Sequence, residues 1–269
     1  MSTKEDNTNL RKPILKAHTE AAFPKSSDCA SSEAKNDVPL HHRSLWQRLG
    51  QSFNLVGICL FMRVLFGKNE LALPHVSVPS IAWLDWEALR KAGFEGCVFD
   101  KDNTLTEPYA DEVAPQLLPS LRRCQQAFGG RLVLFSNSAG LAQFDPRGHE
   151  ADALEAALGI PVLRHSEKKP AGEAATLEAH FGCSPSKLVM IGDRYLTDVV
   201  YGNRHGMLTI RPTPLTLAGE PLAVRLARRI ETFFVRRWRG KGRTAPQHPL
   251  ARKPEALYSF VADNKIALW

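Results

Sequence analysis

The sequence predicts a parallel α/β sheet with helices packed on both faces. Two observations carry this. Short apolar runs recur between residues 95 and 215, and segments of helical periodicity lie between them. Each run also ends near polar or acidic residues, and chemistry in such sheets gathers at the carboxyl ends of the strands. With 269 residues, 43% of them hydrophobic, the chain can bury a sizeable core, which excludes disorder throughout. Five cysteines, an odd number with no C-x-x-C pair, exclude a disulfide scaffold and suit reduced thiols.

In chain order, residues 1–43 are rich in Ser, Thr, Asn, Lys and Glu without periodicity, the composition of a flexible tail. Glu5, Asp6, Glu20, Asp28, Glu33 and Asp37 argue against an organellar presequence, and no apolar h-region marks a secretory signal. Residues 44–93 form an amphipathic helical segment. Leu45, Trp46, Leu49, Phe53, Val56, Leu60, Phe61, Val64 and Leu65 recur at spacings of three and four, suiting core packing or a membrane interface. Its most apolar stretch, Phe53 to Phe66, is broken by Asn54 and Arg63, and no run reaches the roughly 18–20 residues of a membrane span. After Pro74 and Pro79, Ser80 caps a short helix through Ile81, Leu84, Trp86 and Leu89, with Gly93 as its stop.

Residues 94–215 form the main domain. Strands are expected at Gly96–Phe99, Arg131–Phe135, Pro161–Leu163, Lys187–Ile191 and Met207–Ile210, with helices around Leu117–Phe128, Glu150–Leu158, Gly172–Phe181 and Thr197–His205. A basic amphipathic helix is expected within residues 216–243, and residues 244–269 form a C-terminal tail.

The residues that carry chemistry stand at the run ends. Asp100-Lys101-Asp102-Asn103-Thr104 follows the first run, bringing two carboxylates across a tight turn. Gly192-Asp193-Arg194 with Thr197-Asp198 follows a later run and adds two more acids. Ser136-Asn137-Ser138 and Lys168-Lys169-Pro170 stand between them in sequence. Four acids brought together repel one another unless a hard divalent cation with oxygen ligands is present, and Mg²⁺ is the usual choice beside phosphate. A Lys and a Ser then supply donors for phosphoryl oxygens. Read singly, each motif is also compatible with an acidic turn, a helix cap or a basic loop.

The order D-x-D-x-T, Ser, Lys-Pro, G-D-x-x-x-x-D resembles the haloacid dehalogenase (HAD) superfamily of phosphohydrolases over roughly residues 94–215. More specifically, the strings at residues 53–57, 98–104, 135–140 and 159–166, with the Lys-Pro and Gly-Asp motifs, resemble the eukaryotic phosphatidylglycerophosphatases of mitochondria and plastids. The resemblance implies a HAD-like Rossmannoid fold and removal of the terminal phosphate of phosphatidylglycerophosphate. It implies Asp100 as the nucleophile and Asp102 as general acid. Mg²⁺ would be held by Asp100, the backbone carbonyl of Asp102, Asp193 and Asp198. Ser136, the Asn137 amide and Lys169 would bind the phosphoryl group. Lys168 is left out, because the family's motif lysine stands directly before the proline. Arg164, His165 and Arg194 are candidates for the remaining headgroup phosphate. The resemblance also implies a mitochondrial inner membrane (matrix side) or a plastid, an anionic phospholipid substrate and peripheral membrane contact. No nucleic-acid partner is expected, and no protein partner is readable.

Spacing adds one inference. Thr104 and Ser136 are separated by 31 residues, and Ser138 and Lys169 by 30, room for one helix each but not for a cap domain. An open site suits a large or embedded substrate: a lipid headgroup, or alternatively a phosphoprotein or a nucleic-acid 3′-phosphate. The formal net charge of +7 is localised. Residues 222–243 hold eight Lys or Arg against Glu231 alone, so the rest of the chain sums to zero. Leu222, Leu226, Ile230, Phe233, Phe234 and Trp238 share one face of this helix, with Arg237 inside the apolar arc and Arg225, Arg228, Arg229, Arg236 and Arg239 beyond it. That pattern suits an interfacial helix on anionic lipid, or a helix packed on the core with a solvated basic face.

Overall fold

The computed structural model describes residues 62–262. Five parallel strands form one sheet in the order β1-β5-β4-β2-β3: β1 (Val76–Val78), β2 (Gly96–Phe99), β3 (Leu132–Leu134), β4 (Leu188–Ile191) and β5 (Leu208–Pro212). Every residue of β2 and β4 is buried, as expected of central strands covered on both faces.

Alternate residues of these strands serve opposite layers. Cys97, Phe99, Leu132, Leu134, Val189 and Ile191 pack with α1 (Trp86–Lys91), α2 (Leu118–Ala127) and α3 (His149–Leu158). Val98, Val133 and Met190 point the other way, onto α4 (Ala175–Phe181) and α5 (Val200–Arg204). The period of two along each run therefore feeds two cores, one per face.

Local chemistry sets the boundaries. Ser80 caps a single 3₁₀ turn, and Asp85 caps α1 by accepting the Ala88 N–H at 2.9 Å, worth ~1 kcal/mol. Gly93, at φ +100°, turns the chain out of α1. The Thr104–Ser136 and Ser138–Lys169 intervals each hold one α-helix among the described residues, α2 and α3.

Several expectations are corrected. The run at Pro161–Leu163 makes only a single bridge, Leu134 to Val162, because Pro161 has no N–H with which to extend a ladder. Val76–Val78, between two prolines, is instead a strand, at the sheet edge where flanking prolines are tolerated. The segment expected to be helical from Thr197 begins as a π-helical turn, Tyr195–Val199, before α5. The stretch after Arg243 is packed rather than trailing. Phe260 and Val261 are buried in the main core, and the Phe260 carbonyl accepts the Asp85 N–H at 2.9 Å.

The basic helix is α6 (Leu222–Gly240). Its expected apolar face is divided: Phe234, Val235 and Trp238 pack against Val64, Leu73, Tyr195 and Val200, while Leu222, Leu226, Ile230 and Phe233 stay exposed. The expected tail at 1–43 and most of the helical segment beginning at Ser44 lie outside the described residues. Where that segment becomes visible, Val64 is buried and Phe66 is 82% exposed. A short α7 (Pro254–Tyr258) completes the structure.

Candidate active site

The site forms where β2, β3 and β4 end. Asp100 follows β2 directly, its N–H donating to the Ile191 carbonyl at 2.8 Å so that the strand pairing continues one residue further. The chain then turns tightly, with the Leu105 and Thr106 N–H groups converging on the Lys101 carbonyl at 3.0 and 3.1 Å. Asn103 takes a left-handed conformation (φ 62°), which asparagine tolerates better than most residues. Its side chain donates to Glu220 at 2.6 Å and accepts from the Thr216 N–H at 3.0 Å, tying the turn to the approach of α6. Asp102 is about one-third exposed, accepts the Tyr109 N–H at 2.8 Å and lies 3.5 Å from the Lys101 ammonium.

Lys169 is fully buried, and its Nζ lies 2.7 Å from both Asp100 Oδ1 and Asp198 Oδ1. It sits 5.0 Å over the Phe135 ring, and its peptide to Pro170 is cis. Asn137 holds it from behind. The side-chain oxygen of Asn137 accepts the Lys169 N–H at 2.8 Å, while its NH₂ donates to the Lys169 carbonyl at 3.2 Å. These two bonds fix the Asn137 side chain against the Lys169 backbone, and the residue lines the cavity described below. Ser136 is buried, with its hydroxyl 3.0 Å from that of Ser138.

The Gly-Asp motif is built on a close approach. A Cβ at Gly192 would stand 2.3 Å from Cγ of Asp198, so glycine alone admits that carboxylate. Asp198 accepts the Arg194 N–H at 3.1 Å. Asp193 pairs with Arg228 of α6 at 2.6 Å.

Asp100, Asp193 and Asp198 each present a carboxylate oxygen within 4.8 Å of the others. Burial pushes the Asp100 carboxyl up to about 8; Lys169 opposes the shift, and Asp198 and Asp193 add to it. Burial also raises Asp193 to about 6, against the pull of Arg228 and with a push from Asp198. Both shifts describe negative charge in want of a cation. Oδ1 of Asp193 is buried with no hydrogen-bond donor among the described residues. An oxygen-only donor set with an orphaned carboxylate oxygen fits a divalent cation.

A small cavity of about 130 Å³ opens over these groups, lined by Asp100, Asp102, Ser136, Asn137, Asp193 and Arg194, with Glu220 and Arg228 on the α6 side. Lys169 and Asp198 lie beneath it. Two expected headgroup residues are engaged elsewhere. Arg164 is held by Asp152 and Glu155, each at 2.5 Å, outside this lining. His165 has its ring nitrogens 2.7 and 2.8 Å from the carbonyls of Glu167 and Ser136, bracing the Ser136 loop, and burial lowers its pKa. Arg194 does line the cavity, anchored by buried Glu231 at 2.8 Å.

Sequence reasoning missed Arg228 and Glu220. Arg228 is one of six arginines of α6 and has no distinguishing neighbour in sequence. In the structure its guanidinium also reaches Glu220 at 2.6 Å. No sequence signal singled Arg228 out: Glu231, the lone acid of that helix, pairs with Arg194 instead.

A family model described as mitochondrial PGP phosphatase matches residues 55–215. Phosphatidylglycerophosphate phosphatase 1, chloroplastic, of Chlamydomonas reinhardtii is 58% identical over 220 residues, covering 82% of this chain and 81% of that one. The chloroplastic/mitochondrial phosphatidylglycerophosphate phosphatase 1 of Arabidopsis thaliana is 50% identical over 202 residues, covering 75% of this chain and 58% of its own length. The mitochondrial phosphatidylglycerophosphatase of Saccharomyces cerevisiae is 30% identical over 158 residues, covering 57% of this chain and 83% of that one.

Proposed function

We infer the reaction from one premise: the chain belongs to the mitochondrial PGP phosphatase family. It is a phosphatase that removes the terminal phosphate of phosphatidylglycerophosphate, giving phosphatidylglycerol and inorganic phosphate, in a mitochondrion or plastid.

The mechanism we propose rests chiefly on Lys169 bridging Asp100 and Asp198 beneath the cavity. That ion pair fixes Asp100 through Oδ1 and leaves Oδ2 as the attacking atom. Asp100 Oδ2 bonds to phosphorus, the ester bond to the glycerol oxygen breaks, and Asp102 delivers a proton to that oxygen. Asp102 then takes a proton from water, which attacks phosphorus and releases phosphate from Asp100. Ser136 and the Asn137 backbone N–H donate to the phosphoryl oxygens, and Lys169 offsets their charge. Asp100, Asp193, Asp198 and the Asp102 carbonyl would hold Mg²⁺, which supplies positive charge beside the transferring group.

Membrane contact is assigned to α6. Its exposed Leu222, Leu226, Ile230 and Phe233 lie beside Arg225, Arg229 and Arg236, a pattern that suits a shallow seat on anionic lipid. No helix among the described residues is long and apolar enough to cross a membrane.

The test is release of inorganic phosphate from phosphatidylglycerophosphate in detergent micelles. Wild type should release it in the presence of Mg²⁺, and Asp100→Asn should not. Hydrolysis of other phosphomonoesters with none from this lipid would overturn the substrate assignment and leave the phosphatase chemistry standing.

A further inference from the structure

The catalytic cavity, at about 130 Å³, is of a size for one phosphoryl group and its metal rather than for a lipid headgroup. A second cavity of about 690 Å³ adjoins it, and both are lined by Asp193 and Arg228. Its walls are the flank of α6 and the segment that follows β5. The charge there is one-sided. Its two acids are already matched, Asp193 by Arg228 at 2.6 Å and Glu231 by Arg194 at 2.8 Å. Arg211 is fixed by its Nε donating to the Asp193 carbonyl at 2.9 Å and by stacking 4.1 Å over Tyr195, which leaves the rest of its guanidinium as donors. Arg225 and Arg229 line the same cavity with no acidic partner among the described residues.

We propose that this cavity binds the phosphodiester of the lipid headgroup through Arg211, Arg225 and Arg229 while the terminal phosphate occupies the catalytic cavity. The proposal rests on the functional reading above and adds the site that recognises the substrate beyond its reacting group. Three arguments support it. Guanidinium groups bind phosphate oxygens in bidentate fashion, and a diester carries one unit of negative charge that unmatched arginines can take. The cavity meets the catalytic one at Asp193 and Arg228, so one molecule can span both. On a helical projection, Arg225 and Arg229 lie between the buried face of α6 and its exposed stripe of Leu222, Leu226, Ile230 and Phe233, which places a bound diester at the depth where acyl chains begin. Binding energy from this non-reacting phosphate would be available to lower the barrier at the other.

The same arginines could instead meet the headgroups of neighbouring lipids, and the experiment separates the two sources. Arg225→Gln/Arg229→Gln and wild type are compared on dihexanoyl phosphatidylglycerophosphate, kept below its micellar concentration, and on p-nitrophenyl phosphate, which has no diester. The ratio of kcat/KM for the lipid to that for p-nitrophenyl phosphate should fall at least ~10-fold in the variant. An unchanged ratio on the monomeric lipid, with loss appearing only on phosphatidylglycerol vesicles, would make these residues a membrane contact and overturn the proposal. Calorimetric titration of the Mg²⁺-loaded protein with dihexanoyl phosphatidylglycerol, which carries the diester alone, gives an independent answer. The variant should bind it at least ~10-fold more weakly, and absence of binding to wild type would overturn the site. If wild type fails to hydrolyse the phosphorylated lipid yet binds this diester in an arginine-dependent way, the functional reading fails and the site stands.

Discussion

Nη1 of Arg228 lies 2.6 Å from Oδ2 of Asp193, so a helix outside the residues matched by the family model reaches a carboxylate of the Asp100–Asp193–Asp198 cluster. The same guanidinium holds Glu220 through Nε and Nη2 at 2.9 and 2.6 Å. Glu220 in turn accepts from Asn103 in the turn after Asp100. Asp193, Arg228, Glu220 and Asn103 thus form one chain of charge and hydrogen bonds around the cavity mouth.

Removing the guanidinium should leave two buried carboxylates without their partner. Arg228→Gln is expected to lose about 3 kcal/mol of stability in EDTA. Part of that loss should be recovered with Mg²⁺, because a bound cation replaces the guanidinium beside Asp193 but not beside Glu220. Denaturant unfolding with and without Mg²⁺ reads both quantities, and an equal deficit in the two conditions would refute the coupling.

Gly192→Ala places a Cβ 2.3 Å from Cγ of Asp198, whose carboxylate is held by Lys169 and cannot withdraw freely. Affinity for Mg²⁺, measured by calorimetry, should fall by about 10–100-fold. Retention of wild-type affinity would show that Asp198 is not positioned by this contact.

Asn137→Ala removes both hydrogen bonds to the Lys169 backbone. The ammonium would keep its charge but lose its placement, and kcat is expected to drop about 10–100-fold. Asn137→Asp keeps the acceptor and loses the donor, so its kcat should lie between the two.

Stability should also depend on pH through His75, which is buried against Thr209 and Pro246 and lies 5.6 Å from His248. Burial, followed by the neighbouring His248, lowers its pKa from 6.5 to about 4. The unfolded chain therefore takes up a proton that the folded chain refuses. The contribution of a neutral His75 is complete above pH 6.5 and is lost as pH falls toward 4, to the extent of about 3 kcal/mol. The stability advantage of wild type over His75→Asn should shrink across that window in denaturant titrations, and a constant advantage would refute the assignment.

What could be read before the structure was known follows physical lines. Val98, Phe99, Val189 and Ile191 announced their strands because both faces are buried and the runs are uninterrupted. Asp100, Ser136 and Asp193 stand at the ends of such runs, whereas Lys169, six residues past Leu163, is marked only by the motif order D-x-D-x-T, Ser, Lys-Pro. Val76–Val78 was hidden by its two prolines, which mark a turn as readily as an edge strand. Arg164 and Arg228 illustrate the limit of charge: both are arginines near a motif or an amphipathic helix, yet Asp152 and Glu155 hold one at the surface while Asp193 and Glu220 draw the other inward. Such pairings join residues up to 35 positions apart in sequence, and no local pattern encodes them.

The division of α6 has a consequence for where this enzyme ends. Val235 and Trp238 lock the helix onto Tyr195 and Val200, Arg228 and Glu220 wall the cavity, and the outer stripe faces away. A chain cut at residue 215, where the family match stops, would retain every motif residue and still lack one side of the candidate site. Minimal catalytic units of this protein should therefore be drawn to include Gly240 at least, because its last long helix is as much a part of the furnace wall as the strands that carry the fire.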